Sequence, residues 1–364
     1  MFELQGISRV VKGQTWIHPT TLSLERGTMN VLLGATLSGK TSLMRLMAGL
    51  DQPTTGRLIW DGQDVTGMPV QKRRVAMVYQ QFINYPSMTV YDNIASPLKL
   101  MGKSAAEIDR AVRATSEMLK LTPFLERKPL DLSGGQQQRC ALARALVKEA
   151  GLVLFDEPLA NLDYKLREEL RSEIPKIFEA SGAIFVYATT EPEEALLLGG
   201  NTATLSQGRV TQFGPTPQVY RRPVDTTTAR VFSDPPMNFI RCDKRGGRLT
   251  LGDRASAPAE GSFAALPDGS YTAGFRGNHL TLHRESGAAI EFPCAVSVTE
   301  ITGSESFLHL EHGADRWVGL VEGVHDLDAG TEVSVWLDPS HIYLFGPDGA
   351  LVAPAAYALA SQGN

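Results

Sequence analysis

The sequence predicts an α/β unit followed by an all-β module. Three observations carry this. From about residue 30, short apolar runs alternate with helical patterns, the order that builds a mostly parallel sheet with helices on its faces. Near residue 235 the breaker cluster SDPPMN interrupts the chain. Beyond it, short strands divided by turns follow one another, which fits a small barrel.

Residues 1 to about 30 alternate like antiparallel strands. MNVLLG reads as a strand, and KTSLMRLMAGL as a helix opening on a Gly-rich turn. VAMVYQ is a strand, and SAAEIDRAVRATSEMLKL, residues 104–121, is a helix. SGGQQQRCALARALVKEA is a helix, GLVLFDE a strand, YKLREELRSEIPKIFEASG a helix and AIFVYATT a strand. In TTEPEEAL, Thr190 and Glu193 have the spacing of a capping box. Pro192 falls in the first turn, where a missing N–H is harmless. The spacing therefore predicts that Thr190 starts the next helix. After residue 235 the strands are RLTLGD, GSYTAGF, HLTLHRE, AAIEFPCAVSVTEITG, SFLHLEHG, RWVGLVEG and EVSVWLDPSHIYLFGPDG. The last residues, AAYALASQGN, read as a loose tail. The expected units are 1–235, with a helical part at about 82–150, then 236–355, then a tail 356–364.

The bulk properties narrow the choice. A chain of 364 residues is long enough for two or three domains with real cores. Hydrophobic residues at 43% and charged ones at 21% are those of an ordinary soluble protein. Net charge is −5 and no long basic stripe occurs, which argues against a nucleic-acid partner. Cys140, Cys242 and Cys294 are far apart, with no metal spacing and no disulfide framework, as suits a reducing cytosol. The N-terminal MFELQGISRVVKG alternates and is charged, unlike a signal peptide. No apolar run approaches the roughly 20 residues that span a bilayer, so a membrane role would go through a partner.

Three motifs carry chemistry. GATLSGKTS, residues Gly34, Ala35, Thr36, Leu37, Ser38, Gly39, Lys40, Thr41 and Ser42, matches G-x-x-x-x-G-K-[ST] between a strand and a helix. Its backbone N–H groups and the helix N-terminus would cradle phosphates. Lys40 would reach the β- and γ-phosphates, and the Thr41 hydroxyl would ligate Mg²⁺. GLVLFDEP ends an apolar strand in two acids, where open α/β sheets bind ligands. Asp156 would support Mg²⁺, and Glu157 would activate the attacking water. Alone, such a pair is more often a helix-capping turn; beside the phosphate loop the functional reading is the stronger. In LSGGQQQR, residues Leu132, Ser133, Gly134, Gly135 and Gln136 onward, Ser133 caps a helix and the glycines let its N-terminus approach an anion.

These motifs, in this order, resemble the ATP-binding cassette of ABC transporters over roughly residues 1–235. The resemblance implies a P-loop NTPase: a RecA-like core with antiparallel β and helical subdomains. It also implies ATP and Mg²⁺ as ligands. Gln80 in MVYQQF matches the family's Q-loop glutamine, which contacts Mg²⁺ and the transmembrane subunits. ANLD, Ala160 to Asp163, resembles the D-loop that crosses between protomers. The implied assembly is a head-to-tail dimer with each ATP between one chain's Lys40 and the other's Ser133. PPMNFI, VTEITGSESFLHL and SHIYLFGPDG resemble the linker and the OB-like TOBE regulatory barrel of sugar and polyol importer ATPases. YPSMTVYDNIASPLKL is similar to the same branch, and residues 82–100 would bind a coupling helix. The partners so implied are a second ATPase subunit, two transmembrane permeases and, indirectly, a periplasmic solute-binding protein. The implied location is peripheral, on the cytoplasmic face of the inner membrane.

The chain departs from that family at three places. Thr190 stands where the family has a switch histidine, between Thr189 and Glu191, which match the neighbouring threonine and acid. A threonine can donate one hydrogen bond, but its reach is shorter and it carries no imidazolium charge. Adjacent Glu191, Glu193 and Glu194 supply no positive replacement. The expectation is an impaired site, and hence a heterodimer of unequal ATPases as in glycerol-type importers. VVKGQTWIHPT has no aromatic at the adenine-stacking place. Trp16, several residues off that register, either substitutes or is a buried strand residue. Leu37 occupies a loop position where many relatives have glycine, with little harm expected because its N–H survives. Two other classes compete: a non-transport cassette protein of translation or DNA repair, and a regulatory subunit with little turnover. The former usually has tandem cassettes or a coiled-coil insertion, and this chain has neither.

Overall fold

The structure, a computed structural model, describes all residues except 81–82, 149, 160–164, 166, 169–170, 172–173, 176–177, 179–181, 254, 285–288 and 361–364. The chain divides into two compact units, Met1–Phe213 and Gly214–Asn364.

The first unit begins with β1 (Phe2–Val11), β2 (Gln14–Leu24) and β3 (Met29–Leu33), then α1 (Lys40–Ala48). Next come β4 (Thr55–Trp60), β5 (Gln63–Asp64) and β6 (Val75–Val78). Helices α2 (Val90–Leu100), α3 (Ala105–Met118) and α4 (Gly134–Leu146) follow. The unit closes with β7 (Leu152–Asp156), β8 (Ile184–Thr189), a helix Pro192–Leu198, β9 (Asn201–Ser206) and β10 (Arg209–Pro215). A four-stranded sheet has the order β2-β1-β4-β5, with β1 antiparallel to both β2 and β4, as the opening alternation predicts. A six-stranded sheet has the order β10-β9-β3-β8-β7-β6. In it β3 pairs in parallel with β8 and β9, and β7 with β6 and β8. Strands β3, β7 and β8 are buried along their whole length, which is why they read as continuous apolar runs rather than alternations. Leu43 and Met47 of α1 are buried with Leu32, Leu154 and Val186 of the strands in one core.

Parallel pairing fixes where the strand ends fall. Leu33 is opposite Thr189, Asp156 opposite Ala188, and Val78 opposite Phe155. The residues that follow β3, β6, β7 and β8 therefore line up along one carboxyl edge, where open α/β sheets place their ligands.

The expected capping box at Thr190 is absent. The helix Pro192–Leu198 has Glu191 as its boundary residue, with no side-chain cap, while Thr189 Oγ1 accepts the Glu191 N–H at 3.0 Å. Pro192 is the cause: its ring keeps the preceding residue extended, so the helix starts one residue later than the spacing suggests. By contrast, Ser133 caps α4 as expected, in a reciprocal box with Gln136.

In the second unit the helices Thr216–Arg221 and Thr226–Val231 precede the strands β11 (Asn238–Arg245), β12 (Arg248–Leu251), β13 (Ala255–Pro258), β14 (Gly269–Phe275) and β15 (Leu280–Thr281). Then come β16 (Ile290–Ile301), β17 (Glu305–His312), β18 (Asp315–Glu322), β19 (Glu332–Leu337), β20 (Tyr343–Phe345) and β21 (Leu351–Ala353). They form sheets of six and five strands, ordered β13-β12-β11-β14-β20-β21 and β15-β19-β16-β17-β18, and this β-rich body forms a nearly closed barrel. Its core includes Phe275, Phe292 and Trp317, each of whose rings lies edge-on to a neighbour at 5.0 or 5.1 Å. The tail expected to be loose starts as a helix, Ala356–Ala360, because Tyr357 hydrogen-bonds Tyr343 and Arg276 and Ala358 is buried.

Candidate nucleotide-binding site

The loop after β3 is shaped by two glycines. A Cβ on Gly34 would lie 2.4 Å from the Leu205 carbonyl oxygen and 2.6 Å from Ser38 Oγ, so only glycine fits. Gly39, at φ 106°, opens α1 and packs against Gly208. Leu37 takes φ 67°, the left-handed region, with its side chain 95% exposed. A side chain in that conformation costs on the order of 1–2 kcal/mol, so the loop carries local strain in addition to keeping its N–H.

The charged groups converge on this loop. Lys40 is 4% exposed, and its ammonium donates to the carbonyls of Gly34 at 2.6 Å and Ala35 at 3.1 Å. It also stands 3.2 Å from Glu157 Oε1. Thr41 Oγ1 donates to Asp156 Oδ1 at 3.0 Å. Gln80 Nε2 donates to Glu157 Oε2 at 3.3 Å. Burial pushes the Asp156 carboxyl above its ordinary range, and the Glu157 charge adds to this, while the Thr41 hydroxyl and Lys40 oppose it. Glu157 sits at φ 47°, and its N–H donates to Ala188 O at 3.0 Å, which fixes the turn that aims its carboxylate across the strand ends. Strands β3, β6 and β7 thus bring Gly34–Ser42, Gln80, Asp156 and Glu157 together.

Thr36, Leu37, the run from Gly39 to Ser42, Gln80 and Glu157 border a cleft of about 610 Å³. Trp16 lines it and is 49% exposed, so the buried-strand reading of this residue fails. Thr15, Gln207 and Gly208 line it too, and sequence reasoning missed them. The only local signal was a Gln-Gly turn between two strand patterns; nothing near it in the chain announces contact with the phosphate loop. Thr190 follows β8 on the same carboxyl edge, next to Thr189, whose carbonyl accepts the Gly34 N–H at 3.3 Å. Its side chain is exposed and is not part of the cleft wall.

Ser133 Oγ accepts the Gln136 N–H at 3.4 Å, and Gln136 Oε1 accepts the Ser133 N–H at 3.0 Å. Leu132, Ser133, Gly134, Gly135 and Gln136 do not line this chain's own cleft. The D-loop segment Ala160–Asp163 lies outside the described residues.

The donors beside the cleft suit Mg²⁺. Thr41 offers a hydroxyl, Asp156 a carboxylate and Gln80 an amide, all hard oxygen ligands. Among the described residues no group of three or more His, Cys, Asp or Glu could cage a metal. Mg²⁺ is held this way, by one or two protein oxygens together with phosphate oxygens.

A second hollow, about 260 Å³, lies between the end of β6 and helices α2 and α4. Ile83, 57% exposed, and Leu100, 89% exposed, stand at its wall, and the Arg144 guanidinium lies 4.6 Å from the Tyr85 ring centre. No helix among the described residues is long and apolar enough to cross a membrane.

Comparison with known proteins agrees with this geometry. The family model described as ABC transporter matches residues 17–160, and that described as TOBE domain matches residues 273–345. The trehalose/maltose import ATP-binding protein MalK of Thermococcus litoralis is 35% identical over 364 residues, covering 94% of this chain and 96% of its own. The sn-glycerol-3-phosphate import ATP-binding protein UgpC of Chromohalobacter salexigens is 35% identical over 368 residues, covering 99% of each chain. A solved dimer of the ATP-binding cassette MJ0796, in a post-hydrolysis state with ADP and Pi, superposes with a TM-score of 0.54 at 27% identity. It covers 59% of this chain and 99% of that one. Matched along nearly its whole length, the chain belongs to the family of ABC importer ATP-binding subunits that carry a C-terminal TOBE domain.

Proposed function

We propose that this chain binds and hydrolyses ATP to energise uptake of a sugar, polyol or glycerol-like solute, as one half of an unequal pair of ATPase subunits. The observation that carries the ATPase reading is the meeting of Lys40, Thr41, Gln80, Asp156 and Glu157 at one sheet edge. The solute class rests on relatives that import trehalose/maltose and sn-glycerol-3-phosphate.

In this reading the loop Gly34–Ser42 wraps the phosphates and Lys40 neutralises their charge. Thr41, Asp156 and Gln80 would hold Mg²⁺, which would supply further positive charge to the phosphate oxygens. Glu157 takes a proton from the water that attacks the γ-phosphorus, and ADP leaves on the opposite side. The Leu132–Gln136 helix start serves the partner's ATP, in keeping with its distance from this chain's own cleft. Asp163 contributes at the protomer junction. A coupling helix of one of the two permease subunits docks on residues 82–100, where the hollow beside Ile83 and Leu100 has the exposed apolar wall a docking helix needs. A periplasmic binding protein delivers solute to the permeases. The chain acts peripherally, on the cytoplasmic face of the inner membrane.

The asymmetry rests on Thr190, which follows β8 where an imidazole would reach the γ-phosphate. Loss of a positioned donor costs on the order of 10²-fold or more in rate. The test is to purify the chain with its partner and compare Glu157→Gln in each subunit. In an unequal pair the substitution here costs little and the partner's costs most; equal losses overturn the asymmetry. Thr190 also favours a second reading, a subunit that binds ATP chiefly to regulate. Single-turnover hydrolysis by the complex separates the two.

A further inference from the structure

Resting on the reading of the cleft as an ATP site, we propose that Gln207 is its nucleobase-specificity residue, whose amide hydrogen-bonds the adenine edge. The cleft wall has two chemically distinct sets of residues. Lys40, Thr41, Gln80 and Glu157 gather at the carboxyl edge of β3, β6 and β7, and this charged, metal-competent part, with its ammonium, takes phosphates. Thr15, Trp16, Gln207 and Gly208 form the other part of the wall and bring no charged side chain. A half-exposed aromatic beside an amide suits a flat, uncharged heterocycle.

The position of Gln207 is built rather than incidental. Gly208, next to it, donates its N–H to Ser38 O at 2.9 Å and accepts the His18 N–H at 2.9 Å. A Cβ on Gly208 would lie 2.2 Å from the Trp16 carbonyl oxygen, so the turn is pressed directly onto β2. The β9–β10 turn is thereby fastened to the phosphate loop and to the strand that carries Trp16. Gln207 itself takes φ 47°, a conformation that glycine or asparagine adopts more readily. A long amide stands there, exposed and on the cleft wall.

The chemistry favours adenine. An amide offers a donor and an acceptor side by side. Adenine presents a matching acceptor nitrogen and amino donor, whereas the equivalent edge of guanine presents two acceptors. Guanine would leave the Gln207 carbonyl oxygen facing another acceptor.

The experiment measures dissociation constants of the full chain for MgATP, MgGTP and inorganic tripolyphosphate. The wild type, Gln207→Ala and Trp16→Ala are compared, with melting curves confirming the fold. Gln207→Ala should weaken MgATP about 10-fold, collapse the ATP-over-GTP preference and leave tripolyphosphate unchanged, one good base pairing being worth about 5- to 150-fold. Trp16→Ala should weaken both nucleotides alike, since stacking does not distinguish the bases. An unchanged ATP-to-GTP ratio in Gln207→Ala, or an equal loss of tripolyphosphate binding, overturns the proposal while the ATP reading stands. Wild-type chain that binds neither nucleotide nor tripolyphosphate overturns both.

Discussion

The Lys40 ammonium lies 3.2 Å from the carboxylate of Glu157, so the cation proposed to bind phosphate and the base proposed for hydrolysis hold each other across the strand ends. Gln80 grips the second oxygen of the same carboxylate. On the proposed reading, a nucleotide entering the cleft would compete with Glu157 for Lys40, and its arrival would free the carboxylate for water. Lys40→Ala should therefore weaken MgATP binding about 10- to 100-fold, the loss of one charge-assisted hydrogen bond. Lys40→Arg should not restore it, because the 4% exposed pocket is fitted to an ammonium capped by two carbonyls. Isothermal titration of the purified chain checks both.

Thr190→His should restore what the strand end lacks. In a complex whose partner site is silenced by its own glutamate-to-glutamine change, kcat should rise on the order of 10²-fold, with KM little moved. A rate that stays at the silenced level would show that Thr190 is not the limiting defect.

Gly208→Ala should injure a junction rather than a catalytic group. The new methyl would meet the Trp16 carbonyl oxygen, and the residue sits at φ 73°. Crowding of this kind costs about 1–3 kcal/mol. Calorimetry should show a lower Tm, and nucleotide affinity should fall with it because β2, the β9–β10 turn and the phosphate loop separate together.

Asp156 gives a pH signature. Burial raises its folded pKa above the ordinary 3.8, so folding disfavours the ionised form. The linked stability is fully present below that ordinary value and is lost as pH rises through the raised one. Asp156→Asn removes the loss. Without nucleotide, its Tm relative to wild type should climb as pH rises above about 4. Its stabilisation by MgATP over metal-free ATP should disappear. A Tm difference that does not change with pH would refute the linkage.

Much of the site was legible because it is local. The spacing of Gly34, Gly39, Lys40 and Thr41, the acids ending GLVLFDEP, and the Ser133–Gln136 box each lie within one short segment. Burial on both faces wrote β3, β7 and β8 into the sequence as unbroken apolar runs. What failed was local pattern opposed by a neighbour. Thr190 has capping spacing, but Pro192 moves the cap position to Glu191. What was missed was distant. The fate of Trp16 depends on Gly208, and no pattern within either segment reports that the two backbones touch. Leu37 looked harmless by its N–H alone; only the structure shows its left-handed backbone.

Gly34, Gln80 and Glu157 each stand within two residues of the last paired position of their strands, Leu33, Val78 and Asp156. The alignment of the site is therefore a counting problem. Deleting or inserting one residue in β7 would shift Asp156 and Glu157 by a strand step, roughly 3.3 Å, and swap their faces. Substitutions along these strands can be absorbed by repacking, but a change of length cannot. Gene variants of this chain should therefore tolerate altered side chains within β3, β6 and β7 far better than altered numbers of them.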